Sequence, residues 1–169
     1  MRRREIQTPR PDYREKIERY GLSFHTLRGR LYWYESAAYR LDPAEVTVLQ
    51  AATNELQERC LEAVEEVISR DWFDRLGVPL GAQGLIREVW ELDPPAIYGR
   101  FDLCHNGEAP PKLLEYHADT PTSLLEAAVV QWHWLQDVDP AADQFNSVWE
   151  GLVEKWRDLN GGGTTVEQG

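Results

Sequence analysis

A chain of 169 residues with 42% hydrophobic and 28% charged residues is long enough for one domain with a substantial core, and too apolar to be disordered. Its formal charge of −11 excludes nucleic acid as the main partner, because phosphate backbones demand clustered Lys and Arg strong enough to overcome that field. No stretch approaches the roughly 20 apolar residues of a membrane span. Arg2-Arg3-Arg4 meets Glu5 directly, without the apolar segment of a secretory signal, so a cytoplasmic location is expected.

Residues 1–41 hold Pro9, Pro11 and the aromatics Tyr20, Phe24, Tyr32, Trp33, Tyr34 and Tyr39 around a Gly29 turn. They read as a packed, irregular segment with one short helix near Asp12 to Tyr20. His25 within it is read as structural. The clearest helix starts at Asp42-Pro43-Ala44-Glu45, where Asp42 caps, Pro43 takes the first helical position and Glu45 reaches back. Val46, Leu49, Thr53, Leu56, Cys60, Val64 and Val67 then recur every three or four residues, which predicts a helix to about Ser69 with Cys60 in its core stripe. Asp71 to Leu76 predicts a short turn. The series Gly77, Pro79, Gly81 and Gly84 predicts a loop that fits neither GxGxxG nor a Walker A pattern.

Leu85 to Leu92 is strand-like in its alternation, and Pro94-Pro95 breaks it. Ile97 to Leu103 and Lys112 to His117 predict a hairpin around the Asn106-Gly107 turn signal, and Cys104 and His105 fall at its end. A helix follows with Thr120 as cap and Pro121 in its first turn. Its apolar face is Leu124, Leu125, Ala128, Val129, Trp132 and Leu135, with His133 structural. The last helix, Ala142 to Leu159, buries Phe145, Val148, Trp149, Leu152, Trp156 and Leu159 and stops at a Gly161 cap. Together these predict an α/β fold, a small mixed or antiparallel sheet flanked by helices. One domain spans 1–160, and 161–169 reads as an unstructured tail or linker. Cys60 and Cys104 form no CxxC pair, so neither a zinc knuckle nor a disulfide framework is indicated.

Chemistry concentrates on the hairpin. Alternation puts Arg100 and Asp102 on one face of the first strand, and Glu115 and His117 on one face of the second. A register that sets Asp102 opposite Glu115 also sets Arg100 opposite His117. Carboxylates directly across a strand pair repel each other, and a cation between them relieves that repulsion. Hard oxygen ligands suit magnesium, Arg100 offers a fork for phosphate, and Thr120 offers a hydroxyl at a helix mouth. On spacing alone a second reading stands beside this one: exposed strand carboxylates bridged by Arg100, and a plain helix cap.

The stretch Arg100-Phe101-Asp102, then Glu115-Tyr116-His117-Ala118-Asp119-Thr120 continued by Pro121-Thr122-Ser123-Leu124-Leu125-Glu126-Ala127-Ala128, resembles the glutathionylspermidine synthase family of ATP-grasp acid–amine ligases. That family carries Arg-x-Asp followed by Glu-x-Asn-Ala-Asp-Ser/Thr. The likeness extends to Tyr13-Arg14-Glu15-Lys16, to Tyr20 through Thr26 and to Tyr32-Trp33, and covers the chain to about Asp137. The resemblance implies a preATP-grasp-like N-terminal region of an ATP- and Mg2+-dependent ligase, which joins a peptide-like acid to an amine such as a polyamine through an acyl phosphate. By position it implies Asp102, Glu115 and His117 as metal ligands, Asp102 and Arg100 in nucleotide handling, Arg100 as the catalytic cation on the phosphate, and Thr120 in contact with the acid. His117 stands where the family has Asn, exchanging a carbonyl oxygen for an imidazole nitrogen. Most of the ATP-grasp body would lie beyond this chain, so the isolated chain is expected to be catalytically incomplete. The competing expectation is a non-catalytic module that keeps the fold and holds a polyamine or a partner protein.

Overall fold

The computed structural model describes residues 1–161, and of the expected tail only Gly161 falls within them. Among the described residues the fold is mixed α/β, helices accompanied by three antiparallel sheets of two strands each, as the sequence predicts. The chain divides into two compact units, Met1–Val46 with Tyr98–Arg100 and His117 onward, and Thr47–Ile97 with Phe101–Tyr116. No described helix is long and apolar enough to cross a membrane.

In the first unit, β1 (Arg2–Glu5) pairs antiparallel with β4 (Ala37–Arg40), Arg2 opposite Arg40 and Glu5 opposite Ala37. Between them lie α1 (Tyr13–Arg19) and the hairpin of β2 (Thr26–Leu27) and β3 (Arg30–Leu31). Its two-residue turn, Arg28-Gly29, has both φ angles positive, at 50° and 78°, the geometry that matches strand twist and favours glycine. Helix α1 ends in a Schellman motif. Leu22 N–H reaches the Ile17 carbonyl at 2.9 Å, Gly21 N–H reaches Glu18 at 2.9 Å, and Gly21 carries the required positive φ of 100°. The motif folds Leu22 back onto Ile17, and both pack with Val130 at zero exposure, with Tyr13, Tyr20, Trp33 and Leu125 around them. Each such buried aliphatic side chain contributes about 1.5–3 kcal/mol of transfer free energy.

Beside this core lies a buried ion network. Arg10 and Glu35 are 7% and 4% exposed and pair bidentately, Arg10 Nε to Oε2 at 3.1 Å and Nη2 to Oε1 at 2.7 Å. Trp33 Nε1 donates to the same Glu35 at 2.6 Å, while Arg10 Nη1 and Lys16 Nζ converge on Asp137 at 2.9 and 3.0 Å. His25 is satisfied locally by Glu18 and Thr26, both at 2.9 Å, and His133 stacks on Tyr20 at 3.9 Å, in keeping with structural roles.

Helix α2 (Pro43–Ser69) starts on the capping box that the sequence shows, with Glu45 N–H to Asp42 Oδ1 at 2.9 Å and Asp42 N–H to Glu45 Oε2 at 3.0 Å. Of its predicted stripe, Val46, Leu49, Thr53, Leu56, Cys60 and Val67 are half-buried, none fully buried, and Val64 is exposed, contrary to expectation. After a 3-10 turn (Trp72–Leu76) that buries Phe73, the structure departs from expectation. Residues 80–92 form a helix, α3 (Leu80–Leu92), where a glycine loop and a strand were predicted. The half-buried positions Ala82, Ile86 and Trp90 recur every four residues. On the same side, Arg87 donates to the Ile68 carbonyl at 2.9 Å and to Asp71 at 2.5 Å, and Trp90 Nε1 donates to Glu65 at 2.5 Å. These contacts along α2 outweigh the ~1 kcal/mol that each helical glycine costs relative to alanine.

Strands β5 (Arg100–Cys104) and β6 (Lys112–His117) pair as expected. Asn106 Oδ1 closes the intervening loop by accepting from Glu108 N–H at 3.0 Å and Ala109 N–H at 2.9 Å. After β6 the chain bends through residues 118–123, takes a π-helical turn (Glu126–Val130) and continues as α4 (Gln131–Val138). The wider π turn rotates the apolar face, so that Val130, outside the predicted face, is fully buried, and Trp132, inside it, is 39% exposed. Helix α5 (Val148–Gly161) begins six residues later than predicted, with Val148 N–H on Asn146 Oδ1, and runs through Gly161. Val148, Leu152 and Leu159 are half-buried, whereas Phe145, Trp149 and Trp156 are exposed, contrary to expectation.

Candidate functional site

The hairpin brings together the three side chains that the alternation singled out. One oxygen of Asp102, one of Glu115 and a ring nitrogen of His117 lie within 4.8 Å of one another. Strand pleating explains this: Glu115 and His117 stand two residues apart on one face of β6, and Asp102 rises from β5 beside them. The hairpin is stiffened by stacking of Phe101 on Tyr116, ring centroids 4.1 Å apart, and by Tyr116 donating its hydroxyl to Gln57 Oε1 at 2.7 Å.

The donor set can be tested against a divalent ion. Ligand atoms at about 2.1 Å from magnesium stand roughly 3–4.2 Å apart, so a 4.8 Å spread closes with small side-chain rotations. Two hard carboxylate oxygens suit magnesium, and the imidazole nitrogen suits manganese or zinc better. The residues fit a divalent cation, with His117 softening the preference for magnesium.

Arg100 lies two residues before Asp102 on β5, and its guanidinium donates to the Thr122 carbonyl at 2.9 Å and to the Thr122 hydroxyl at 2.6 Å. This contact corrects the expected helix start. Thr120 is no cap: it is exposed in the bend of 118–120, and the helical path opens at Leu124. Arg100 holds Thr122 in the loop, and Ser123 takes a left-handed φ of 69°, a conformation that costs a non-glycine residue about 1–2 kcal/mol. Thr122 is thus a site residue that the sequence reading passed over, although its hydroxyl alternates with that of Thr120.

A second missed pair flanks the same loop. Tyr32 donates its hydroxyl to Glu126 Oε1 at 2.5 Å. The carboxylate's hold on that proton raises the Tyr32 pKa above its ordinary value, burial adds to it, and Ser123 and the Arg100 charge oppose it. Ninety-four residues separate the partners, and no local pattern announces them.

With this geometry in place, similarity decides the family. The family profile described as glutathionylspermidine synthase preATP-grasp matches residues 4–167. The chain belongs to this family. A Haemophilus influenzae protein assigned as an acid–amine ligase is 36% identical over 155 residues, 89% of this chain and 39% of that protein. Trypanothione synthetase of Crithidia fasciculata is 33% identical over 86 residues, 50% of this chain and 13% of that protein. The chain therefore spans well under half the length of either relative. Within the preATP-grasp family frame, the Arg-x-Asp and Glu-x-His segments are the two strands of the hairpin, and the Thr-Pro-Thr-Ser segment is the loop tied to Arg100.

Proposed function

We propose that this chain is the N-terminal part of an ATP- and magnesium-dependent acid–amine ligase that forms an amide bond through an acyl phosphate. The observation that carries the reading is the convergence of the Asp102, Glu115 and His117 donor atoms on one hairpin of a chain in this family. In this reading Asp102 and Glu115 hold the ion, His117 completes its protein ligands, and Arg100 steadies the transferring phosphate. Arg100 keeps its fork oriented through Thr122, and Thr120, exposed in the adjoining bend, meets the acid substrate. A bound magnesium would supply charge neutralisation of the phosphate oxygens. The residues' own part is to position groups and to hold a guanidinium where negative charge develops.

The substrates are a small peptide-like acid and an amine. The nucleotide-binding ATP-grasp body comes from polypeptide outside this chain, so the isolated chain is not a competent ligase. The 39% span of the Haemophilus influenzae relative supports that view.

The test is binding of Mn2+, a magnesium stand-in visible by electron paramagnetic resonance, with and without ADP. Wild-type chain should remove free Mn2+ from solution, and Asp102→Ala and Glu115→Ala should each abolish the effect. Absence of binding by the wild type at millimolar metal overturns the reading.

A further inference from the structure

The first unit holds an open cavity of about 950 Å³, lined by the β1–β4 sheet, the start of α2, α4 and the loop after α4. Its walls are mostly apolar, with Trp33, Trp134, Leu135 and Val46 joined by the rings of Tyr39 and Phe145. The two tryptophans are half-buried, while Tyr39 and Phe145 are 61% and 52% exposed. Small-molecule sites are concave, mainly apolar and about 300–1,000 Å³ in volume. The sequence makes this space. Ala37 and Ala38 occupy β4, where β-branched and aromatic residues are the usual strand formers. Ala38 lies opposite Arg4 and two residues before Arg40, so its short side chain leaves room over the sheet between two arginine positions.

The charges around the cavity do not balance. Arg4 pairs with Asp139 and the Met1 ammonium with Glu45, while Asp42 accepts from Glu45 N–H and Asp143 from Gln144 N–H, both at 2.9 Å. Each carboxylate of the lining is thereby engaged. Arg40 has no carboxylate partner among the described residues, and the register sets it directly opposite Arg2, which has none either. Like charges opposed across a strand pair repel, and a counter-ion between them relieves that repulsion. Trp134 Nε1, also in the lining, has no acceptor among the described residues.

An unmatched cation at an aromatic cavity selects an amphipathic anion, since rings stack on a flat apolar body and a guanidinium forks onto a charged head. We infer that this cavity binds a small organic anion with a flat apolar body. Arg40 and Arg2 hold the head, and Trp33, Trp134 and Phe145 cover the body. The site goes beyond the ligase reading and shares no residue with the hairpin cluster.

The experiment is a fluorescence titration of the full chain with anilinonaphthalene sulfonate and with phenylnaphthylamine, a neutral compound with the same rings and no sulfonate. Both should bind at one equivalent, the sulfonate more tightly, and both should shift the indole N–H signals of Trp33 and Trp134 in NMR. Arg40→Gln should weaken the sulfonate by about tenfold and leave the neutral compound unchanged. Ala38→Ile fills the space without touching the charges and should abolish both, with amide dispersion checking the fold of each variant. Should Ala38→Ile fail to fold, Arg40→Gln decides, because Arg40 is exposed and its replacement spares the core. Equal affinity for the two compounds, or sulfonate affinity indifferent to Arg40→Gln, overturns the inference. Indole shifts confined to Trp149 and Trp156, which do not line the cavity, also overturn it. So does self-association in sedimentation that displaces the sulfonate, since a second copy of the chain would then be the occupant.

Discussion

Arg10, Glu35 and Asp137 form one knot of ionisable groups in this chain, and Asp102, Glu115 and His117 form another, but the two are assembled on different terms. In the first, opposite charges meet at 2.7–3.1 Å, Trp33 supplies a further donor to Glu35, and the central pair is almost fully buried. In the second, two carboxylates and an imidazole are gathered within 4.8 Å on a half-open hairpin. Buried opposite charges that satisfy one another hold segments together, while like charges gathered at a surface resist assembly until a cation joins them. The first knot joins the N-terminal segment to the end of α4 and is structural. The second has the composition of a binding site.

The comparison breaks most readily at Arg10. Arg10→Ala strands Glu35 in the interior and should destabilise the fold by about 3–5 kcal/mol, read as a lower midpoint in urea unfolding. A loss comparable to an exposed substitution would show that the network carries no structure. By contrast, Asp102→Ala with Glu115→Ala should cost less than about 1 kcal/mol, because Glu115 is exposed and Asp102 only half-buried. A large loss there would make the hairpin cluster structural too.

Acid provides a third probe. Hydrogen bonds from Arg10 and Lys16 hold the Asp137 carboxyl below its ordinary pKa. A depressed folded value means that its stabilisation is present above the unfolded pKa near 3.9 and is lost as pH falls through the folded value. Stability should therefore decline below about pH 4 in wild type. In Asp137→Asn that decline should be shallower, at a loss of under about 1 kcal/mol near neutral pH, since the carboxylate is partly solvated. Equal pH slopes in the two proteins would remove Asp137 from the network. The smallest effect expected is at His117. His117→Asn replaces nitrogen by oxygen and should shift the ratio of Mg2+ to Mn2+ affinity toward magnesium by a few-fold. An unchanged ratio would take His117 out of the ligand set.

What the sequence disclosed was local. The capping box of Asp42 and Glu45 spans three residues, and the alternation of Arg100, Asp102, Glu115 and His117 lies within two strands, so both were legible. The misreadings share a cause in contacts that are distant in sequence. Leu85 to Leu92 alternates like a strand, but Arg87 and Trp90 reach partners 16 to 25 residues away on α2 and its following turn, and the segment becomes helical. Thr120-Pro121 has the form of a helix start, yet Arg100, 22 residues earlier, claims Thr122 and delays the helix. The pairing of β1 with β4 and the Arg10 network, whose partners stand 25 and 127 residues away, left no periodic trace at all.

The most direct test of the account is the pattern of Mn2+ paramagnetic broadening across the backbone amide spectrum. At low occupancy the account expects signals of residues 101–103 and 114–118 to broaden first, with the loss abolished by Glu115→Ala. Broadening that instead follows the acidic surface of α2, at Glu55, Glu58, Glu62 and Glu66, would contradict it, because the metal would then answer to net charge and not to a built site.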